Sequence, residues 1–390
     1  MNPDEIRSTF FDFFGDRGHL LLPPSSVVSS DDSLLFTNAG MNQFRPYYLG
    51  ERPPPHRRLM SSQPCVRTVD IDNIGYTTRH STSFEMLGNF AFSDYFKLES
   101  MSWALKLLTD GFGLDRDRLW VTVFSTDDES FVLWQKLGFP TDRIQRLGIE
   151  DNYWSMGVPG PGGPNSELFY DRGPSFGRSG GPSVNSERYL ELWNLVFMQD
   201  VRGNSDEEIL GPLPGRHVDT GLGLSRLQLV LSGGRHVQEL DPLLPKVREL
   251  TGSSSPSVRI VVDHLRTSLL LLDAGVAPGN DGRSYVLRRL LRRAMRHLHL
   301  LGVTDPVLGQ LIGHPLVSRE ERAFTRTLVR GQNILQRALD RGSLPVELVF
   351  KLHETHGFPV ELTEEIARER GFKVDRAGFD TLMASHRSRS

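Results

Sequence analysis

With a single cysteine, Cys65, the chain has no second thiol to bridge to and cannot build a multi-cysteine zinc site. A reducing compartment is expected and zinc is not. Long hydrophobic runs are missing too. No stretch approaches the roughly 18 apolar residues of a membrane-spanning helix, and the N-terminus is acidic and amphipathic, unlike a cleavable leader. The cytoplasm is therefore the expected location, with no membrane partner. Nor does charge of one sign dominate. The net charge is -3 over 390 residues, so any RNA contact has to come from a local basic surface and not from long-range attraction to phosphate. Lysine is scarce beside arginine, which leaves phosphate binding to guanidinium groups. A chain this long has room for two or three domains, each with its own core.

The most informative stretch runs from Gln63 to Lys97. Gln63 to Arg67 and Ser81 to Phe92 alternate with a period of two, which predicts an antiparallel strand pair. The link between them carries Asp70, Asp72, Arg79 and His80. Strands that deliver arginines to a polar loop can clamp phosphate oxygens in two-pronged geometry; a surface hairpin with solvated charges fits the same residues.

Pro3 to Arg17 places Ile6, Phe10, Phe13 and Phe14 on one side of a helix that ends near Gly18. Leu34 to Phe44 reads as an apolar strand running into a small-residue turn, with Gly40 and Met41 either on a pocket floor or packed at a strand end. Leu98 to Leu108 is an expected helix, Leu119 to Ser125 a buried strand, and Glu129 to Leu137 another helix. Asn152 to Asp171 is dense in Gly and Pro and reads as a preset loop that lets backbone approach a ligand, with Trp154 and Glu167 as contacts; an interdomain linker is the alternative. Tyr189 to Gln199 alternates as a strand in which Asn194 interrupts the apolar pattern. Glu207 to Leu213 is a polar-to-apolar return. His217 to Leu227 reads as a strand ending at Asp219, a glycine turn and a helix presenting Arg226, a combination suited to a ligand carrying both a cation and phosphates.

Gly252 to Ser257 marks a change of composition and a domain boundary, and beyond it the pattern is helical. Helices are expected over 258–274, 285–301, 320–339, 344–356 and 363–370, the last closed by Gly371. In the second of these, Arg288, Arg292 and Arg296 form an i, i+4 row beside Arg289 and Arg293, with few acids interleaved. The row reads as a phosphate-contacting surface, with a solvated helix face as the alternative. His353 and His356 lack a third ligand nearby and read as solvated helix histidines.

Taken together, these segments resemble the alanyl-tRNA synthetase family of class II aminoacyl-tRNA synthetases along nearly the whole chain. LLFTNAGMNQFRPYYLG resembles the family's first motif, QPCVR through FEMLGNFAFSDYFK its second, and HVDTGLGLSRL its third. WSMG, GPGGPNSE and WNLVFMQ stand in the expected places between them, and the end of the chain, DHLRTSLLLLDAGVAPGNDGRSYVLRRLLRRAMRH through HGFPVELT, is similar to the tRNA-recognition domain. The resemblance implies an α+β fold: a class II antiparallel sheet flanked by helices over 1–250, followed by an all-helical tRNA-recognition domain over 258–390. It implies joining of alanine to ATP and transfer of the alanyl group to alanine tRNA, with Mg2+ bridging phosphates. Arg67 would hold the α-phosphate, Arg226 would bracket the distal phosphates, Phe84 would stack on adenine, and Arg79 and His80 would complete the ATP site. Asp219 would pair with the substrate ammonium, while Met41, Trp154, Asn194, Val196 and Gly221 would bound a methyl-sized pocket. Asn280, Arg288, Arg292, Arg296 and Glu354 would meet the tRNA acceptor stem, Asn280 at its G·U pair.

The chain departs from the family in places. Its second-motif loop is short, Ser81 and Ser83 replace His and Phe of bacterial relatives, Ser225 replaces a Glu, and Glu354 stands where the family has Asp. Without the family's editing and C-terminal oligomerisation domains in this sequence, the expectation is a monomer with modest rejection of glycine and serine, a one-carbon difference being worth only about 1–3 kcal/mol. Two other functions stay open: an adenylating paralogue serving a small molecule or carrier, and a non-catalytic RNA-binding regulator.

Overall fold

The computed structural model describes residues 1–205 and 208–388. The chain forms two compact units, Met1–Asp241 and Pro242–Ser390. The first is α+β. Among the described residues its nine strands are β1 Leu20–Leu21, β2 Arg58–Val66, β3 Ser83–Phe92, β4 Leu119–Phe124, β5 Ile144–Leu147, β6 Tyr153–Trp154, β7 Gly160–Asp171, β8 Tyr189–Arg202 and β9 Ile209–Gly223. They lie in the order β1-β2-β3-β9-β8-β7-β4-β5, with β6 paired on β7. The β1–β2 and β4–β5 pairs are parallel and the others antiparallel.

The expected hairpin partners are present and longer on the β2 side, with Cys65 opposite Phe84 and Gln63 opposite Met86. The period of two in β3 sorts its residues: Leu87 and Ala91 enter one core layer, Phe90 and Phe92 the other. The first layer is closed by the Pro3–Gly15 helix. Its N-terminus is fixed by a reciprocal Asn2–Glu5 capping box with Pro3 in the first turn. Its buried face of Ile6, Phe10 and Phe14 packs on Trp193, with Phe10 and Phe14 ring centroids 5.8 and 6.2 Å from the indole. Aromatic contacts of this kind contribute roughly 0.5–1.5 kcal/mol each beyond their buried area.

Three sequence expectations change. Leu34 to Phe36 forms no strand, only a single bridge between Val28 and Phe36, before the turn Asn42–Phe44. The Gly- and Pro-rich stretch expected as a loop is largely β7, a strand buried between β4 and β8. Its composition serves close packing: a Cβ at Gly163 would lie 2.1 Å from the Phe197 carbonyl oxygen, and one at Gly162 would lie 2.7 Å from the Arg202 side chain. Pro164 falls within the shift in register between Gly162 and Asn165, where the β7–β8 ladder is already interrupted. Likewise Asp219 does not end its strand. β9 continues through Gly221 to Gly223, and the Leu224–Ser232 helix follows directly. The return read from Glu207 enters β9 at Ile209, Glu207 itself lying outside the described residues.

The second unit is helical: Leu243–Thr251, Pro256–Asp273, Gly282–Leu300, Leu308–Ile312, Pro315–Asp340, Val346–Glu354, Val360–Glu369 and Arg376–Arg387. Among the described residues, no helix is long and apolar enough to cross a membrane. The arginine row on Gly282–Leu300 does not form one solvent face. Arg293 and Arg296 are 3% and 1% exposed. Arg296 bonds Glu365 at 3.1 Å and Glu369 at 2.5 Å, and Arg293 bonds Glu365 at 3.1 Å and the His264 ring at 2.9 Å. The acids missing from the helix itself arrive from Val360–Glu369. Arg288 and Arg292 are partly exposed and share Glu320, at 3.1 and 3.0 Å.

Candidate active site

The first unit holds a cavity of about 380 Å³ on one face of the sheet, lined from β3, β7, β8, β9 and the Arg67–His80 link. Arg67, Arg79, His80, Phe84, Trp154, Asn194, Val196, Asp219, Gly221 and Arg226 all line it. Of the site residues expected in this unit, Met41 alone is not among the described lining residues. It is fully buried in the apolar cluster behind Val196, and Ala39 takes the place at the wall.

Guanidinium groups gather at one end. Arg67 follows the last residue of β2; its Nε donates to the Asn38 carbonyl at 3.0 Å, and its guanidinium lies 5.1 Å from the Phe84 ring centroid. Arg226, in the first turn of the Leu224–Ser232 helix, donates to Glu191 Oε2 at 2.7 Å. Arg79 bonds Glu187 at 3.1 Å, and burial followed by the nearby Arg226 charge lowers its pKa. The His80 ring meets Thr77 Oγ1 at 2.8 Å, and the His80 carbonyl accepts from Gln238 Nε2 at 2.8 Å. Burial and the Arg79 charge lower the His80 pKa, favouring the neutral imidazole.

The other end holds a buried acid. Asp219 pairs in register with Val196, and Gly221 with Asn194. Asp219 is 5% exposed, and its carboxylate has no hydrogen bond or ion pair among the described residues. Burial alone pushes its carboxyl up to about 7. Gly221 keeps the wall bare, and a Cβ there would lie 2.8 Å from the Met86 sulfur, so a side chain at this position would have to displace Met86.

Two carboxylates stand between these ends. Glu167 on β7, expected from the sequence as a contact, lines the cavity, and burial followed by the Glu191 charge raises its pKa. Glu191 went unread. A strict alternation along β8 puts residues 191 and 194 on opposite faces, but the pairing jumps from Trp193↔Leu168 to Glu191↔Phe169, leaving Leu192 without a partner. This bulge turns Glu191 onto the cavity face. Burial raises the Glu191 pKa, but Arg226, Arg67 and Arg79 outweigh it and hold the carboxylate below its ordinary value. Asn165, also unread, is 1% exposed; its Nδ2 donates to Asn194 Oδ1 at 2.8 Å.

Ser81 and Ser225 line the cavity; Ser83, at the start of β3, is not among its described lining residues. In the second unit, Asn280, Tyr285, His353, Arg376 and Phe379 line a groove, extended by Arg288 and Arg292. Asn280 accepts a hydrogen bond from Arg288. Glu354 is exposed, bonded by Thr355 Oγ1 at 2.5 Å and 3.7 Å from the His386 ring, and is not among the groove's described lining residues.

The first cavity can thus hold a small cation at Asp219 and a polyanion at Arg67 and Arg226, with reacting groups between them. The chain matches the family described as tRNA synthetases class II (A) over residues 5–316 and 314–390. An alanine--tRNA ligase of Streptomyces avermitilis is 48% identical over 436 aligned residues, covering 100% of this chain and 49% of the relative. One from Mycolicibacterium smegmatis is 46% identical over 437, again covering 100% and 49%. The chain spans about half the length of the curated relatives it matches. A solved histidyl-tRNA synthetase of S. aureus aligns at 13% identity and a TM-score of 0.38, over 59% of this chain and 65% of that one.

Proposed function

The chain belongs to the class II tRNA synthetases, and from that premise we propose that it activates alanine with ATP and passes the alanyl group to the 3′ end of alanine tRNA in the cytoplasm. The observation that carries this reading is the unpaired Asp219 carboxylate at one end of a cavity whose other end holds Arg67 and Arg226. A substrate ammonium pairs with Asp219 and anchors alanine; Trp154, Val196 and the bare backbone of Gly221 leave room for little more than a methyl group. A carboxylate oxygen of alanine attacks the α-phosphorus, a new C(O)–O–P link forms, and pyrophosphate leaves with the electrons of the broken P–O bond. Arg67 stabilises the charge that builds on the α-phosphate and Arg226 that on the departing phosphates, while Phe84 stacks on adenine with Arg79 and His80 at its edge. In the second step a terminal ribose hydroxyl attacks the acyl carbon and AMP departs.

No three His, Cys, Asp or Glu side chains among the described residues cluster as a metal site of their own. Magnesium keeps several waters and takes one or two carboxylates beside substrate phosphates. Glu167 would suit that role, because it lines the cavity without an ion pair among the described residues, whereas Glu191 is held by Arg226. The ion supplies charge neutralisation to the phosphates when it enters with ATP.

For the second substrate, the partly exposed Arg288 and Arg292, with Asn280 beside them, support acceptor-stem binding in the second unit, and the exposed Glu354 follows the groove-lining His353 in the chain. Arg296, buried and paired, is left out. A second reading, delivery of the activated amino acid to a small molecule or carrier, is favoured by Ser81 and Ser225 in the cavity wall. Amino-acid-dependent ATP–pyrophosphate exchange tests activation: stimulation by alanine and not by propionate supports the assignment, and no stimulation by any amino acid removes it. Charging of alanine tRNA then decides between the acceptors.

A further inference from the structure

We infer that Asn165 is a positioning residue that sets the Asn194 side-chain amide so that its NH2 group faces the cavity and donates to the carboxylate of the bound amino acid. The inference rests on the alanine-activation reading above and adds a residue and a polarity to it. Asn165 and Asn194 sit on the facing sides of β7 and β8, where Asn165 pairs in register with Val196 and Glu167 with Asn194. Asn165 Nδ2 has two acceptors before it, Asn194 Oδ1 at 2.8 Å and Glu167 Oε1 at 3.5 Å. With this NH2 group aimed at two acceptor oxygens, the reversed amide would set the Asn165 oxygen against the Asn194 oxygen, and the shorter of the two contacts favours the orientation seen.

The Asn165 amide has little room to turn. Its residue is 1% exposed, and its backbone carbonyl is held by Asn152 Nδ2 at 3.2 Å, itself bonded to Thr122 Oγ1 at 3.0 Å. Its own Oδ1 is buried with no partner among the described residues, an unfavourable placement that a smaller apolar residue would avoid. With its oxygen engaged by Asn165, Asn194 has only its NH2 group left, and this group has no partner among the described residues in a side chain that lines the cavity.

Asn194 pairs with Gly221, two residues along β9 from Asp219. Diagonal positions of this kind lie roughly 7–8 Å apart. An α-amino acid spans that gap with its ammonium at Asp219 and its carboxylate at the Asn194 amide. The ligand class is therefore an α-amino acid bound by both ends, and a β- or γ-amino acid places its carboxylate elsewhere.

Alanine-dependent pyrophosphate exchange on four proteins, wild type, Asn165→Ala, Asn194→Ala and the double variant, tests this. Asn165→Ala is expected to raise the KM for alanine at least tenfold with kcat and the KM for ATP within about threefold of wild type, and to add less than twofold in the Asn194→Ala background. Asn165→Ser, which keeps a donor, should restore most of the affinity, and Asn165→Asp, an acceptor only, should not; these two serve where the alanine variant does not fold. Unchanged KM for alanine in Asn165→Asp, or multiplicative effects of the two alanine substitutions, overturns the inference. A wild type without exchange removes the functional reading, and the inference falls with it.

Discussion

Arg226 Nη1 lies 2.7 Å from Glu191 Oε2, so one helix-borne guanidinium is tied to a strand carboxylate that only a bulge brings to the same face. The pair holds Arg226 at the cavity while leaving part of its fork of donors for a ligand. Arg226→Ala is expected to lower the rate of alanine-dependent pyrophosphate exchange by more than about 100-fold, the equivalent of about 3 kcal/mol of lost transition-state stabilisation. Arg226→Lys should recover little, because a point charge cannot serve Glu191 and a phosphate together. The same assay on Arg67→Ala should show a loss of similar size, and near-normal exchange in either alanine variant would place the phosphates elsewhere.

Asp219→Asn should abolish exchange while making the free protein more stable at neutral pH. Burial raises the Asp219 carboxyl to about 7 from an ordinary 3.8, so in the folded state it resists ionisation that the unfolded chain undergoes freely. The sign follows: its stabilising contribution is complete below about pH 4 and is lost as the pH rises toward 7, at most about 4 kcal/mol in all. Melting temperatures at pH 4 and pH 8 check this. The gain of the variant over wild type should be present at the higher pH and nearly gone at the lower, and equal gains at both would contradict it.

Alanine affinity should carry the same signature. Only ionised Asp219 attracts an ammonium, so below about pH 7 the KM for alanine should rise by up to tenfold per unit while the KM for ATP changes less. A KM for alanine that is flat from pH 5.5 to 8 would show that Asp219 is already ionised or is not the anchor.

The arginines of the Gly282–Leu300 helix should separate by burial. Arg292→Ala should weaken binding of every tRNA and reduce its salt dependence, while Asn280→Ala should mainly reduce discrimination between tRNAs with and without the G·U pair. Arg296→Ala should instead destabilise the fold by up to about 3 kcal/mol, since it removes a buried cation paired with Glu369 and with the part-buried Glu365, which keeps Arg293 and His297. Thermal unfolding and tRNA titration at two salt concentrations distinguish them. A normal melting temperature with lost tRNA binding in Arg296→Ala would return that residue to the interface.

What the sequence disclosed depended on how local the cause was. The β2–β3 hairpin was legible because its alternation is uninterrupted, and the lone Asp219 among apolar and glycine neighbours was legible by contrast. Glu191 was hidden because a single unpaired residue, Leu192, inverts the face pattern of β8, and nothing in the run YLELWNLVFMQ announces a bulge. β7 was hidden by composition, since Gly162 and Gly163 normally signal a loop but here answer to the Phe197 carbonyl and the Arg202 side chain across the sheet. The arginine row was misjudged because its acids lie 28 residues away at Glu320 and 73 residues away at Glu369, beyond any local count of charges. In each case the deciding partner is distant in sequence.

The unpaired Leu192 separates the length of β8 from its facing pattern. Removing that one residue would close the strand into regular pairing and still leave Glu191 beside Trp193 on the side it occupies now. Removing Leu195 would have no such effect: the strand would have to give up either the placement of Asn194 opposite Gly221 or that of Val196 opposite Asp219. Tolerance to single-residue deletion should therefore vary sharply along β8: loss at position 192 costs the core one buried leucine but keeps the facing pattern of the cavity residues in frame, whereas loss at 195 breaks that pattern.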